Sequence, residues 1–175
     1  SETIAGVEYH VLELVAAHGG GATSVRPASL ERDAADALSD SVYALPAAGT
    51  AALLLSDERD QRRTGESAAW ALALTAAATQ LLKETINSPR PDHPEQHDGF
   101  PSGHTGISFA FARSLAEESD EWGTVAYAWA AGVAWSRVRR GDHDVPQVLA
   151  GAALGWWVAD QVARERRPGQ AMAAQ

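Results

Sequence analysis

SAAWALALTAAATQLLKETINSPRP, residues 67–91, decides the fold class. Ala, Leu, Gln, Lys and Glu dominate it, and these are strong helix formers. Trp70, Leu74, Ala77, Leu81 and Leu82 recur at helical spacing, which predicts one long helix over 67–87 with those residues on its apolar side. Asn87-Ser88-Pro89-Arg90-Pro91 must end it, because proline lacks an N–H and restricts the residue before it.

The pattern extends in both directions. Residues 57–66 are so charged that they read as a connector. Before them, Ser29 is placed to cap a helix running to about Leu45, with Glu31 and Asp33 in its first turn. Pro46 would break or kink that helix, and 47–55 continue it. Ile4, Val7, Val11, Leu12, Leu14 and Val15 predict an amphipathic helix over 3–18, ended by Gly19-Gly20-Gly21. After Pro91, a polar loop with His93, Pro94, His97 and Gly99 leads to a helix from Ser102 to about Glu118. Ser119-Asp120-Glu121 is a cap and first turn for a helix over 121–138. A last helix starts at Val145 or Pro146 and runs to about Arg166.

Few residues are β-branched, and no repeat or long linker divides the chain. The expectation is therefore a single all-α domain over 1–175, a bundle of about six helices, with 1–2 and 168–175 frayed. Trp129, Trp135, Trp156 and Trp157 are expected to fill its core. Five stretches lack charged residues (41–56, 67–82, 99–112, 122–136 and 145–159), and none reaches the roughly 18 residues of a spanning helix. Membrane association through tilted short spans stays open, but a soluble bundle is the favoured reading. A net charge of -9 repels nucleic acid, so no nucleic-acid partner is expected. The chain has no cysteine, which excludes disulfides and thiolate metal sites. No charged-then-apolar leader stands at Ser1, which leaves open a signal removed or one never present.

Against that acidic background, three clusters at helix boundaries stand out. Lys83 and Arg90-Pro91 have six residues between them; Pro101-Ser102-Gly103-His104 opens a helix; Ser136-Arg137 precedes His143 by five intervening residues. Each part alone has a plain explanation, such as a helix-end cation or a cap. Together they supply what phosphoryl chemistry needs. Lys83, Arg90 and Arg137 are cations for the phosphate oxygens, and arginine can grip two at once. A helix start at Ser102 offers free N–H groups, and Gly103 lets an anion approach closely. Two histidines, His104 and His143, titrate in the range useful for nucleophilic and acid–base work.

These clusters resemble the three signature motifs of the type 2 phosphatidic acid phosphatase superfamily. That group includes bacterial class A acid phosphatases, lipid phosphate phosphatases and vanadium-dependent haloperoxidases. The resemblance spans 83–147 and implies an all-α bundle with its site at one end of the central helices. It implies that Lys83, Arg90, Ser102, Gly103 and Arg137 hold phosphate, that His143 attacks phosphorus to form a phosphohistidine, and that His104 protonates the leaving oxygen. It implies a phosphate ester substrate, inhibition by vanadate, no metal and no cofactor, and an extracytoplasmic, periplasmic location.

One position departs from the pattern. The family places an Asp four residues after the nucleophilic histidine, and here that residue is Gln147. A Gln carbonyl can accept the far-nitrogen proton but brings no negative charge. Asp142 and Asp144 are near enough in sequence to substitute, although a loop and helix-start carboxylate is their simpler reading. Gln147 therefore motivates a second hypothesis, a catalytically impaired phosphate-binding member of the fold. A vanadium-dependent haloperoxidase is a third, for which the chain is short. His93 and His97 are read as exposed loop histidines, and Arg139 and Arg140 either extend the cationic mouth or lie in solvent.

Overall fold

The computed structural model describes residues 27–166, and the compact unit considered below begins at Asp33. Five helices appear among the described residues, with no strand: α1 (Pro27–Leu54), α2 (Arg59–Ile86), α3 (Gly103–Leu115), α4 (Asp120–Arg139) and α5 (Val145–Arg166). The all-helical expectation stands. The helix expected over 3–18 and the frayed ends at 1–2 and 168–175 lie outside the described residues.

Several boundaries follow from single residues. Ser119 caps α4, its Oγ accepting from Trp122 N at 3.1 Å. Asn87 ends α2 in the left-handed conformation, with φ 53°, and donates its N–H to the Lys83 carbonyl; asparagine tolerates that conformation better than most residues. Asp144 and Gln147 form a reciprocal cap on α5: Gln147 N donates to Asp144 Oδ1 at 2.8 Å, and Asp144 N points at Gln147 Oε1 at 3.4 Å. Other boundaries differ from expectation. The charged run 57–66 is not a connector, because α2 begins at Arg59. Arg, Gln and Glu are good helix formers, and charge reports solvation rather than loss of helix. The corner shrinks to a turn in which Ser56 Oγ accepts from Glu58 N at 3.1 Å and donates to Gln61 at 2.6 Å. α1 is already helical at Pro27, so Ser29 lies within it, and it passes through Pro46 without interruption. α3 ends at Leu115, and a turn covers the residues before Ser119.

α3 is the central element, packing against α2, α4 and α5. Its approach to α5 is backbone to backbone. A Cβ at Gly155 would lie 2.8 Å from the Gly106 carbonyl carbon and 3.1 Å from Ala110 N. Such crossings admit only small side chains, and α2 accordingly buries Gly65, Ala68, Ala71, Thr75 and Thr79. The large apolar residues are displaced outward. Trp70, Leu74 and Leu81, read as the buried side of α2, are exposed, Trp70 by 55%. Ala77 is exposed as well. Trp135, Trp156 and Trp157 are likewise exposed rather than core, Trp157 by 57%. Trp129 is half-buried against Phe111 and donates Nε1–H to Ser41 Oγ of α1 at 2.9 Å. Among the described residues no helix is long and apolar enough to cross a membrane.

Candidate active site

The antiparallel course of the helices brings the three sequence clusters to one end of the bundle. Lys83 stands in the last turn of α2, and the 87–102 loop carries Arg90. Ser102 is the N-cap of α3, and His104 is in its first turn. Arg137 lies in the last turn of α4, and His143 immediately precedes the cap of α5. The loop is tied internally, with Gly99 N donating to Ser88 O at 2.7 Å and Arg90 N to Gln96 O at 3.0 Å. It is also tied to the turn before α5, with Asp92 N donating to Gly141 O at 3.2 Å. Gly141 has φ +70°, and a Cβ there would strike the Asp92 carboxylate.

His143 is 2% exposed. Its Nδ1 is 2.8 Å from Gly99 O and 2.9 Å from Gln147 Oε1. Both partners are carbonyl oxygens and can only accept. The proton therefore sits on Nδ1, and Nε2 keeps its lone pair. The orientation of the Gln147 amide is fixed at its other end, where Nε2 donates to Pro89 O at 3.0 Å and lies 3.4 Å from Ser88 Oγ. Neither neighbouring carboxylate replaces the missing Asp. Asp144 caps α5, and Asp142 pairs with Arg137 Nη2 at 3.0 Å and Arg140 Nε at 2.9 Å.

The cations are held from outside the cluster. Asp98 grips Arg90 through two bonds of 2.7 Å, to Nε and Nη2. Lys83 Nζ donates to the Asp98 carbonyl oxygen and lies 3.7 Å from its carboxylate. Arg137 donates Nη1–H to Ser39 Oγ of α1 at 2.6 Å, while its buried Nε has no partner among the described residues. An orphaned guanidinium donor beside two further cations suits an anion. Arg140 is no free mouth residue, since it pairs with Asp36 and Asp142. Ser102 is fully buried, its Oγ 3.0 Å from Thr105 Oγ1. Its place at the N-cap leaves the first-turn N–H groups of α3 without intrahelical acceptors. At Gly103 a Cβ would meet only Thr79, at 3.4 Å, so closeness to the backbone, not crowding, is what the glycine provides.

Both histidines are pushed down to about 4. For His104 the causes are burial, then the charges of Arg137 and His143; its ring also meets Tyr43 edge-on at 5.2 Å. For His143 burial again leads; the Gln147 bond raises the value, but Arg137, Lys83 and Arg90 lower it further. Arg90 drives Asp98 down to about 2. Burial lowers Lys83 despite the opposing pull of Asp98. The site thus holds neutral imidazoles in a cationic field at neutral pH. A groove of about 440 Å³ adjoins it, lined by Lys83 and Gly103 and by apolar Val42, Tyr43, Leu72 and Ile107. The exposed His93 has its Nδ1 3.5 Å from the Glu95 carboxylate, and His97 is exposed as well. Among the described residues no group of three or more His, Asp or Glu side chains is placed to hold a metal ion.

All eight site residues expected from sequence meet in this one region. Asp98, Gly99, Ser39 and Tyr43 were missed. Asp92, Glu95 and Asp98 all lie between Arg90 and His104, so charge balance alone could not single out Asp98.

A family model described as the PAP2 superfamily matches residues 66–164, more than half of the chain. A search of curated proteins found no match. Among solved structures, the crystal structure of Aquifex aeolicus LpxE is similar to this chain, with a TM-score of 0.63 at 19% identity. The match covers 89% of this chain and 94% of that one. At that identity the likeness is one of fold.

Proposed function

The chain belongs to the PAP2 superfamily, which supports a phosphoric ester hydrolase, and from that premise we propose that it cleaves phosphate esters of amphiphilic alcohols through a phosphohistidine. His143 carries the reading: two carbonyl acceptors fix its Nδ1 proton and leave the Nε2 lone pair among three cations. In the first step Nε2 attacks phosphorus, an N–P bond forms and the P–O bond to the alcohol breaks. The protonated form of His104, the minor form at neutral pH, gives its proton to the departing oxygen. In the second step His104 takes a proton from water, whose oxygen attacks phosphorus; the N–P bond breaks and its electron pair returns to Nε2. Lys83, Arg90, Arg137 and the α3 N–H groups stabilise the equatorial oxygens. The apolar groove beside Lys83 and the exposed tryptophans support an alcohol with a hydrocarbon tail presented at a lipid surface. An extracytoplasmic location belongs to the same proposal.

The test is phosphate release from a water-soluble aryl phosphate and from a single-chain lipid phosphate in detergent micelles, each with and without vanadate. The expected result is vanadate-sensitive release, faster on the lipid, and abolished by His143→Ala. Hydrolysis that survives His143→Ala would overturn the mechanism. Gln147 favours a second reading, an impaired phosphate binder. Equal rates before and after Gln147→Asp, both high, would remove it.

A further inference from the structure

Gln147 leaves the His143 ring without a carboxylate, and the structure shows what stands nearest to taking its place. Gly99 O lies 2.8 Å from Nδ1, as close as the Gln147 oxygen at 2.9 Å. Once Nε2 bonds to phosphorus the ring carries a positive charge, and two carbonyl dipoles must support what one carboxylate otherwise would. The direction of the Gly99 carbonyl is therefore a catalytic variable. Glycine does not fix it: φ and ψ at residue 99 are the least restricted of any residue type. A larger residue cannot take over, because a Cβ there would lie 2.8 Å from Gln147 Nε2 and against the Pro89 carbonyl. The carbonyl is aimed by the chain held on either side of residue 99, and beyond it Ser102 N donates to Gln147 O at 3.0 Å.

Its neighbour is Asp98. The peptide joining Asp98 to Gly99 is held at both edges, its carbonyl by Lys83 Nζ and its N–H by Ser88 O at 2.7 Å. The Asp98 side chain adds two 2.7 Å bonds to Arg90. Resting on the phosphatase reading above, we propose that Asp98 is a positioning residue for His143: its ion pair with Arg90 and Lys83 latches the 98–99 peptide, so that the Gly99 carbonyl shares the Nδ1 proton with Gln147. The latch consumes one edge of Arg90 and one proton of Lys83. It leaves the remaining Arg90 donors and two Lys83 protons for phosphate.

A double-mutant cycle between Asp98→Asn and Gln147→Asp tests this, read by kcat and by the 15N shifts of the His143 ring at pH 7.5. With Gln147 present, Asp98→Asn lowers kcat roughly tenfold, the equivalent of one hydrogen bond of ~1.4 kcal/mol. The ring shifts show a growing share of the Nε2–H tautomer. In the Gln147→Asp background the carboxylate supports the ring, so Asp98→Asn costs only what loosening Arg90 and Lys83 costs, several-fold less than with Gln147. Equal losses in both backgrounds, with an unchanged tautomer, would mean that Asp98 serves only the phosphate-binding cations and would overturn the proposal. If no variant turns over, including Gln147→Asp alone, the phosphatase reading fails and the ring shifts decide by themselves. A tautomer change on Asp98→Asn then upholds the latch, and an unchanged one ends it.

Discussion

Acidification from pH 7.5 to 5.5 should destabilise this protein through its two site histidines. Their folded values are near 4 against an ordinary 6.5. Between those limits the unfolded chain binds more protons than the folded one, so stability falls as pH falls. Integrating over the interval gives about 1.3 kcal/mol for each histidine, roughly 2.7 kcal/mol together. With a urea dependence of roughly 2 kcal/mol per molar for a chain of this size, the unfolding midpoint drops by about 1.3 M. Asp98 is held near 2 against an ordinary 3.8, so its stabilisation is lost only at lower pH. The assay is urea unfolding followed by tryptophan fluorescence at both pH values, on the wild type and on His104→Gln/His143→Gln. The double variant should lose most of the pH dependence. Inorganic phosphate should lessen the acid loss, because an anion favours the protonated rings. A midpoint that holds or rises on acidification, or a pH dependence unchanged in the double variant, would refute the burial-and-cation account of these sites.

Catalysis should follow the same titrations. kcat/KM should rise about tenfold per pH unit from pH 7 toward 5, as the protonated fraction of His104 grows, and fall below about 4 as His143 loses its lone pair; a flat profile on a soluble ester would remove His104 as the acid. Arg137→Lys keeps the charge but cannot reach Ser39, Asp142 and phosphate together, so kcat/KM should fall roughly 10²-fold. Gly155→Ala drives a methyl into the α3 backbone and should destabilise by about 1–3 kcal/mol, lowering the thermal midpoint by several degrees.

Among the described residues, the helices, their order and most of their ends were legible in the sequence because local signals set them: helix formers in 67–87, the proline-rich stop at 87–91, and the cap at Ser119. The grouping of Lys83, Arg90, Ser102, His104, Arg137 and His143 was legible because the chemistry those residue types suggest demands them at fixed spacings along single elements. What failed was anything set by the partner surface. A helix shows its apolar residues in sequence but not which of them face another backbone. The crossing at Gly106 and Gly155 leaves room only for small side chains, so the neighbouring Trp156 and Trp157 lie outside it and are exposed, as are Trp70 and Trp135 on other helices.

The same division runs through the histidine at the centre of the site. By itself the sequence determined that His143 stands with Lys83, Arg90 and Arg137, and that Gln147 sits where the family has a carboxylate. Only the tertiary structure decided how the ring is held. The Gly99 carbonyl reaches Nδ1 from 44 residues away. It is a backbone group, which every residue carries, so no residue type in the sequence could announce it.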